Sequence, residues 1–168
     1  TYFFSAAWKD SFSLHLSNIT SIGFSYTNLK NPFITNYEKR KECNYSGRTE
    51  LQYIYHLPQW KIQLSSGLEA QYNATDKNVY DNNGGTPTNV QYKDKLHATQ
   101  YFLFVQGNLS WQKKWNFQIG GSYNQLRYWY KRTTNVEANK AYIKNTGLVF
   151  SPRLAVSYQI KYNSALYA

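Results

Sequence analysis

Three histidines, His15, His56 and His97, and one cysteine, Cys43, are the side chains best suited to hold a metal or attack a carbonyl. Zinc needs its ligands to converge, and spacings such as H-x-x-x-H, H-E-x-x-H or C-x-x-C would bring them together. None of these spacings occurs, nor does the G-x-S-x-G elbow that would present a nucleophilic serine. The stretch "YDNNGG", Tyr80 to Gly85, could offer Asp81 and asparagine oxygens to a cation. One carboxylate makes a poor calcium site, and Asn and Gly are ordinary turn formers. The histidines read as hydrogen-bonded wall residues near strand positions. No catalytic set, metal site or cofactor is therefore expected, and the chain does not read as an enzyme. A single cysteine also excludes an intrachain disulfide framework.

The elements that would carry these residues are strands. Apolar residues recur at every second position in Tyr2–Trp8, Phe12–Tyr26, Thr49–Tyr55, Trp60–Tyr72, Tyr101–Trp111, Trp115–Trp129 and Leu148–Ile160, and "SALYA" opens an eighth run. Period 2 marks half-buried strands. In the run from Trp60 the alternate face reads Lys61, Gln63, Ser65, Gly67, Glu69, Gln71, which is wholly polar or small. One face is therefore wet. Four N-x-S/T sequons, at Asn18, Asn44, Asn73 and Asn108, fall mostly inside such runs and read as chance.

The connections alternate in length. Short turns are expected at "KDS", "HLPQ", "QKK" and "KYN", and longer loops at Lys30–Tyr37, Asp76–Asn89 and Lys131–Asn145. Sorting by length on alternate ends is what an up-and-down barrel in an outer membrane shows, with short periplasmic turns and longer extracellular loops. Composition agrees. Aromatics reach 18%, with 17 tyrosines and five tryptophans, yet mean hydropathy is −0.67 and no apolar run is long enough for a membrane helix. A soluble β-sandwich binding module, for carbohydrate or protein, and a small self-contained outer-membrane barrel are the alternatives.

The formal charge of +10 raises nucleic acid as a partner. Lysines and arginines are spread over the turns and loops, with no stripe to track a phosphate backbone, so no nucleic acid is expected. Basic loops facing outer-membrane lipid and lipopolysaccharide fit better. Trp8, Trp60, Trp111 and Trp115 flank short turns and Trp129 lies at the opposite end, as expected of aromatic girdles at two membrane interfaces. Trp115 to Trp129 spans roughly 46 Å of strand, or about 35 Å of height at a tilt of about 40°. The chain opens within an alternation and its strand directions place both ends on the long-loop side. We therefore expect a section of a larger barrel.

The residues "NYEKRKECNYSGRTELQY" (36–53), "WKIQLSSGLEAQ" (60–71), "VYDNNGG" (79–85), "QYFLFVQGNLSWQKKWNFQIGGSYNQLRY" (100–128) and "FSPRLAVSYQIKYNSALYA" (150–168) resemble the barrel of TonB-dependent outer-membrane receptors, particularly the Bacteroidetes type. The resemblance runs from about Asn31 to the end. It implies an all-β fold, with residues 1–168 as about eight strands of a single barrel domain of about 22 strands. Neither a plug domain nor a TonB box is found among them. It also implies import of scarce nutrients (iron-siderophore, haem or similar) across the bacterial outer membrane. The partners it implies are the rest of the barrel, the plug, and TonB acting through that plug. Odd positions of Tyr101–Trp111 and Trp115–Trp129 are expected to face lipid, and Gln100, Phe102, Phe104, Gln106, Gln118 and Asn124 the lumen. Any substrate contacts would come from the long loops, where Tyr80, Tyr130, Arg132 and Tyr142 suit anionic or aromatic chelates.

Overall fold

The computed structural model describes residues 1–134, 140–161 and 164–168. Eight strands form there: β1 (Tyr2–Ser11), β2 (Leu16–Pro32), β3 (Asn36–His56), β4 (Trp60–Asn83), β5 (Thr86–Trp111), β6 (Trp115–Arg132), β7 (Ala141–Lys161) and β8 (Ser164–Tyr167). Each pairs antiparallel with the next, in one sheet ordered β1 to β8. This is an up-and-down all-β section, and β8 does not return to β1. The small closed barrel is thereby set aside. So is the sandwich, because the described residues hold no second sheet and their only buried hydrophobic side chain is Val79.

Residues directly opposite in an antiparallel ladder share a face, so register carries the alternation across the sheet. One row runs Thr20–Thr49–Leu68–Leu103–Tyr123–Phe150, and two positions along lies Asn18–Leu51–Ser66–Val105–Gly121–Pro152. Leu103, Val105 and Ile119 are 51%, 61% and 68% exposed. None of the described residues is laid against this largely apolar face. The other face carries Gln52, Ser65, Gln106, Arg48, Glu69 and Asn124. Odd positions of β5 and β6 thus lie on the apolar face, as the alternation predicts.

The strand ends differ from the expectation. The loop expected at 76–89 is the continuation of β4 and β5, which run 24 and 26 residues to a turn at 84–85. Gly84 and Gly85 there have φ of +58° and +88°. Two left-handed residues give the turn whose twist matches the hairpin, and a Gly-Gly pair adopts it without a Cβ clash. Likewise β2 extends to Pro32 and β3 starts at Asn36, leaving only 33–35 as connection. The "KDS" turn moves to 12–15, because Ser13 Oγ accepts hydrogen bonds from the His15 and Leu16 amides at 3.2 and 3.0 Å. Phe12 and Leu14 therefore belong to the turn. Lys9, Lys39, Arg40, Lys41, Lys131, Arg132 and Lys144 lie on strands instead of loops. The middle of the expected 131–145 loop and two residues of the "KYN" turn lie outside the described residues. The fully described connections, 12–15, 33–35, 57–59, 84–85 and 112–114, are all short and do not sort by length; what differs is how far the hairpins extend past the aromatic rows.

Candidate functional site: the two faces of the barrel wall

Aromatic rings concentrate at two levels of the apolar face. At the short-turn end Trp60 stacks on Trp111 at 5.6 Å between centroids, and Trp115 meets Tyr158 at 4.5 Å. The rows place these side by side, Trp60–Trp111–Trp115–Tyr158. Gln112 and Lys113 between them adopt φ of 50° and 58°. His15 packs against Tyr55 at 5.2 Å, and its Nδ1 lies 3.0 Å from the Ile54 carbonyl. At the other end Tyr2 stacks on Tyr26, Tyr45 meets Tyr72, and His97 sits 4.8 Å from the Trp129 ring. The Tyr72 hydroxyl and His97 Nδ1 are 2.6 Å apart. Trp8 shares the apolar face, just inside its own turn and opposite Thr20. The five tryptophans are thus on one face: Trp60, Trp111 and Trp115 share the short-turn row, Trp129 lies toward the other end, and Trp8 falls between them in the row of Leu103.

The polar face holds charges in pairs. Arg48 contacts Glu50 at 2.8 Å and Glu69 at 3.4 Å, while Gln52 and Gln71 donate to those carboxylates. The Arg48 guanidinium lies 5.1 Å from the centre of the Phe104 ring. Gly67 lets that ring approach, since a Cβ there would come within 2.6 Å of it and of the Thr49 carbonyl. A depression of about 260 Å³ opens beside it, lined by Phe102, Gly120 and Arg153 among others. Only the parity of Arg48, Glu50 and Glu69 marked this cluster in the sequence, and pairing across strands was needed to find it.

Above the Trp129 level the polar face carries three of the four expected contact residues. Arg132 forms a two-pronged ion pair with Asp94, at 2.8 and 3.1 Å, and the Tyr130 hydroxyl donates to Asp94 at 3.1 Å. Tyr142 is opposite Tyr130, with 6.3 Å between rings, and the Arg132 guanidinium lies 4.3 Å from the Tyr92 centroid. Burial raises the Asp94 carboxyl. The hydrogen bonds from Arg132 and Tyr130, with the charges of Arg132 and Lys77, outweigh it and hold Asp94 below the usual carboxylate range. Tyr80 is separate. It is opposite Tyr37 on the other face, with the Lys39 ammonium 5.0 Å from its ring. All four residues sit on strands rather than loops. Asp81 and Asn82, considered for a cation, are engaged locally: Gln91 donates to Asp81 at 2.8 Å, and the Gly85 amide to Asn82 at 2.9 Å.

A family model described as "TonB dependent receptor-like, beta-barrel" matches residues 1–168, the whole chain. The chain belongs to this TonB-dependent receptor barrel family. Solved structures share its fold at low identity. The siderophore receptor PiuA from Acinetobacter baumannii superimposes with a TM-score of 0.76 at 10% identity, over 98% of this chain and 31% of that one. The ferric yersiniabactin uptake receptor FyuA from Yersinia pestis gives 0.73 at 10%, over 97% and 26%. The ferric citrate transporter FecA gives 0.67 at 9%, over 98% and 26%. The chain thus spans under a third of the length of these receptor chains. No curated protein sequence matches it closely enough to count as a relative. The family match includes the first 30 residues, where the sequence offered alternation alone, and the open edges of the sheet are those of a receptor-barrel section.

Proposed function

We propose that this chain is part of the wall of an outer-membrane receptor that imports a scarce nutrient, an iron-siderophore, haem or a similar chelate, with energy delivered by TonB through a plug. The carrying observation is the sheet's division into a bare apolar face bounded by two aromatic levels and a polar, charge-paired face. Such a division suits a wall between lipid and a filled lumen. The aromatic levels would lie at the two membrane interfaces, with Trp60, Trp111 and Trp115 toward the periplasm and Trp129 toward the outside, while Trp8, in the row of Leu103, would lie between them. The Arg48–Glu50–Glu69 cluster and the Phe104 ring would face the plug. Tyr130, Arg132 and Tyr142 would line the outer mouth, where a guanidinium and phenols suit an anionic or aromatic chelate. Tyr80 points to the other side and is the weakest of the four as a contact. The ferric citrate and ferric yersiniabactin taken up by two of the similar receptors support the substrate class.

Uptake by cells carrying the intact receptor that contains residues 1–168 is the test. Labelled ferric siderophores and haem should accumulate only when TonB is present. Accumulation that is equal with and without TonB, or absent for every iron chelate offered, would overturn the proposal.

A further inference from the structure

Beyond the Trp129 level, the apolar face changes from aromatic to cationic. The register is unbroken there from β2 to β6, so parity assigns each lysine to a face. The aromatic row Tyr26–Cys43–Ala74–His97–Trp129 is followed, two positions on, by Asn28–Lys41–Asp76–Lys95–Lys131. Two further on come Lys30–Lys39–Asn78–Lys93. Six lysines therefore stand on the lipid-side face within roughly 7–13 Å of strand beyond the aromatic row. Asp76 is the only carboxylate in these rows. Glu38, Glu42, Glu50, Glu69 and Asp94 all occupy the opposite face, where Arg40, Lys77, Arg48 and Arg132 pair with them.

Two of the cross-strand pairs oppose like charges directly, Lys30 with Lys39 and Lys95 with Lys131. Such pairs are destabilising unless an anion lies between them. Among the described residues none of the six forms an ion pair, and Lys30, Lys41 and Lys95 are exposed. The other end lacks the feature: its strand cations Lys9 and Lys61 take the polar-face parity. The patch spans five strands, or roughly 20 Å at about 4.8 Å per strand, which is wide enough for more than one phosphate.

We propose that Lys30, Lys39, Lys41, Lys93, Lys95 and Lys131 form a binding belt for a multiply phosphorylated lipid headgroup, of the lipopolysaccharide kind, at the outer surface of the membrane. The belt rests on the membrane placement proposed above but not on transport. Each ammonium reaches past the aromatic level on its apolar stem and meets phosphate at headgroup height. The headgroup also removes the Lys–Lys repulsion, so bound lipid and the register of β2 to β6 stabilise one another.

The test is titration of the intact detergent-purified receptor with lipopolysaccharide, with phosphatidylglycerol, and with inorganic phosphate. Combined Lys41→Gln, Lys95→Gln and Lys131→Gln should weaken lipopolysaccharide binding about 100-fold, and Lys95→Gln alone about 5-fold. Combined Lys9→Gln and Lys61→Gln should leave it unchanged. Wild-type affinity in the first variant set, or an equal loss in the control set, overturns the belt. Phosphatidylglycerol or inorganic phosphate binding as tightly as lipopolysaccharide overturns its specificity for a multiply phosphorylated headgroup. Uptake and membrane fractionation report separately on the transporter reading, so the two can fail independently.

Discussion

Leu103→Lys probes the membrane placement most sharply. By strand rise and a tilt of about 40°, Leu103 stands roughly 20 Å from the Trp111 level and roughly 15 Å from the His97 level. That is close to the middle of the apolar band. Leu103 is 51% exposed and lies between Leu68 and Tyr123 in the sheet. If this face met water, a lysine here would extend into solvent and change stability by no more than about 0.5 kcal/mol. Against hydrocarbon the ammonium must be carried out of the midplane, which costs about 2–4 kcal/mol. Ile119→Lys, only roughly 10 Å from the Trp115 level, should cost less than Leu103→Lys. Gln106→Lys, on the polar face, should cost under about 1 kcal/mol. Guanidinium unfolding of the intact receptor in phosphatidylcholine vesicles, followed by tryptophan fluorescence, measures all three. Equal costs at Leu103 and Gln106 would refute the assignment of faces.

Replacing Gln112 and Lys113 by Asn and Gly should stabilise the barrel by about 1–2 kcal/mol, read from the same unfolding midpoint, because both residues hold left-handed backbone. Gly67→Ala should destabilise by about 1–3 kcal/mol through collision with Phe104 and the Thr49 carbonyl, whereas Gly47→Ala, with nothing within 4 Å of the added carbon, should be tolerated. Asp94 has a lowered folded-state pKa, so its contribution is complete above the unfolded value of about 4 and is lost as pH falls through the folded one. The stability gap between wild type and Asp94→Asn should accordingly be constant near neutrality and shrink below about pH 4, measured by unfolding at stepped pH.

Strand identity, face parity and the paired tryptophans were legible because most positions of the apolar face between the aromatic rows are apolar, with Thr20, Thr49, Gln125 and Arg127 among the exceptions. That signal stops where the band stops. Lys77, Asn78, Lys93 and Asp94 extend β4 and β5 with no apolar alternation, so those stretches read as loop although their backbone pairing continues. The Gly84–Gly85 pair was the available hint of a tight hairpin. Ser13 was another local signal, since a hydroxyl that collects two amides defines a turn better than the charged "KDS" before it. The Asp94–Arg132 pair could not be read at all, because Lys77, Tyr92 and Tyr130 meet it from strands whose register only the fold supplies.

Every described strand in this wall hydrogen-bonds through its backbone ladder only to the strands before and after it in the chain. A hairpin can therefore be copied or deleted without rethreading anything. Two strands added together restore the direction of the next strand and keep its apolar positions on the same side, whereas a single added strand would send every later connection to the wrong end. Barrel circumference can change in steps of two by simple duplication of sequence. The constraint on such growth lies at the seams: a new neighbour must match the stagger and the rows of aromatic and cationic residues that the old one left unpaired.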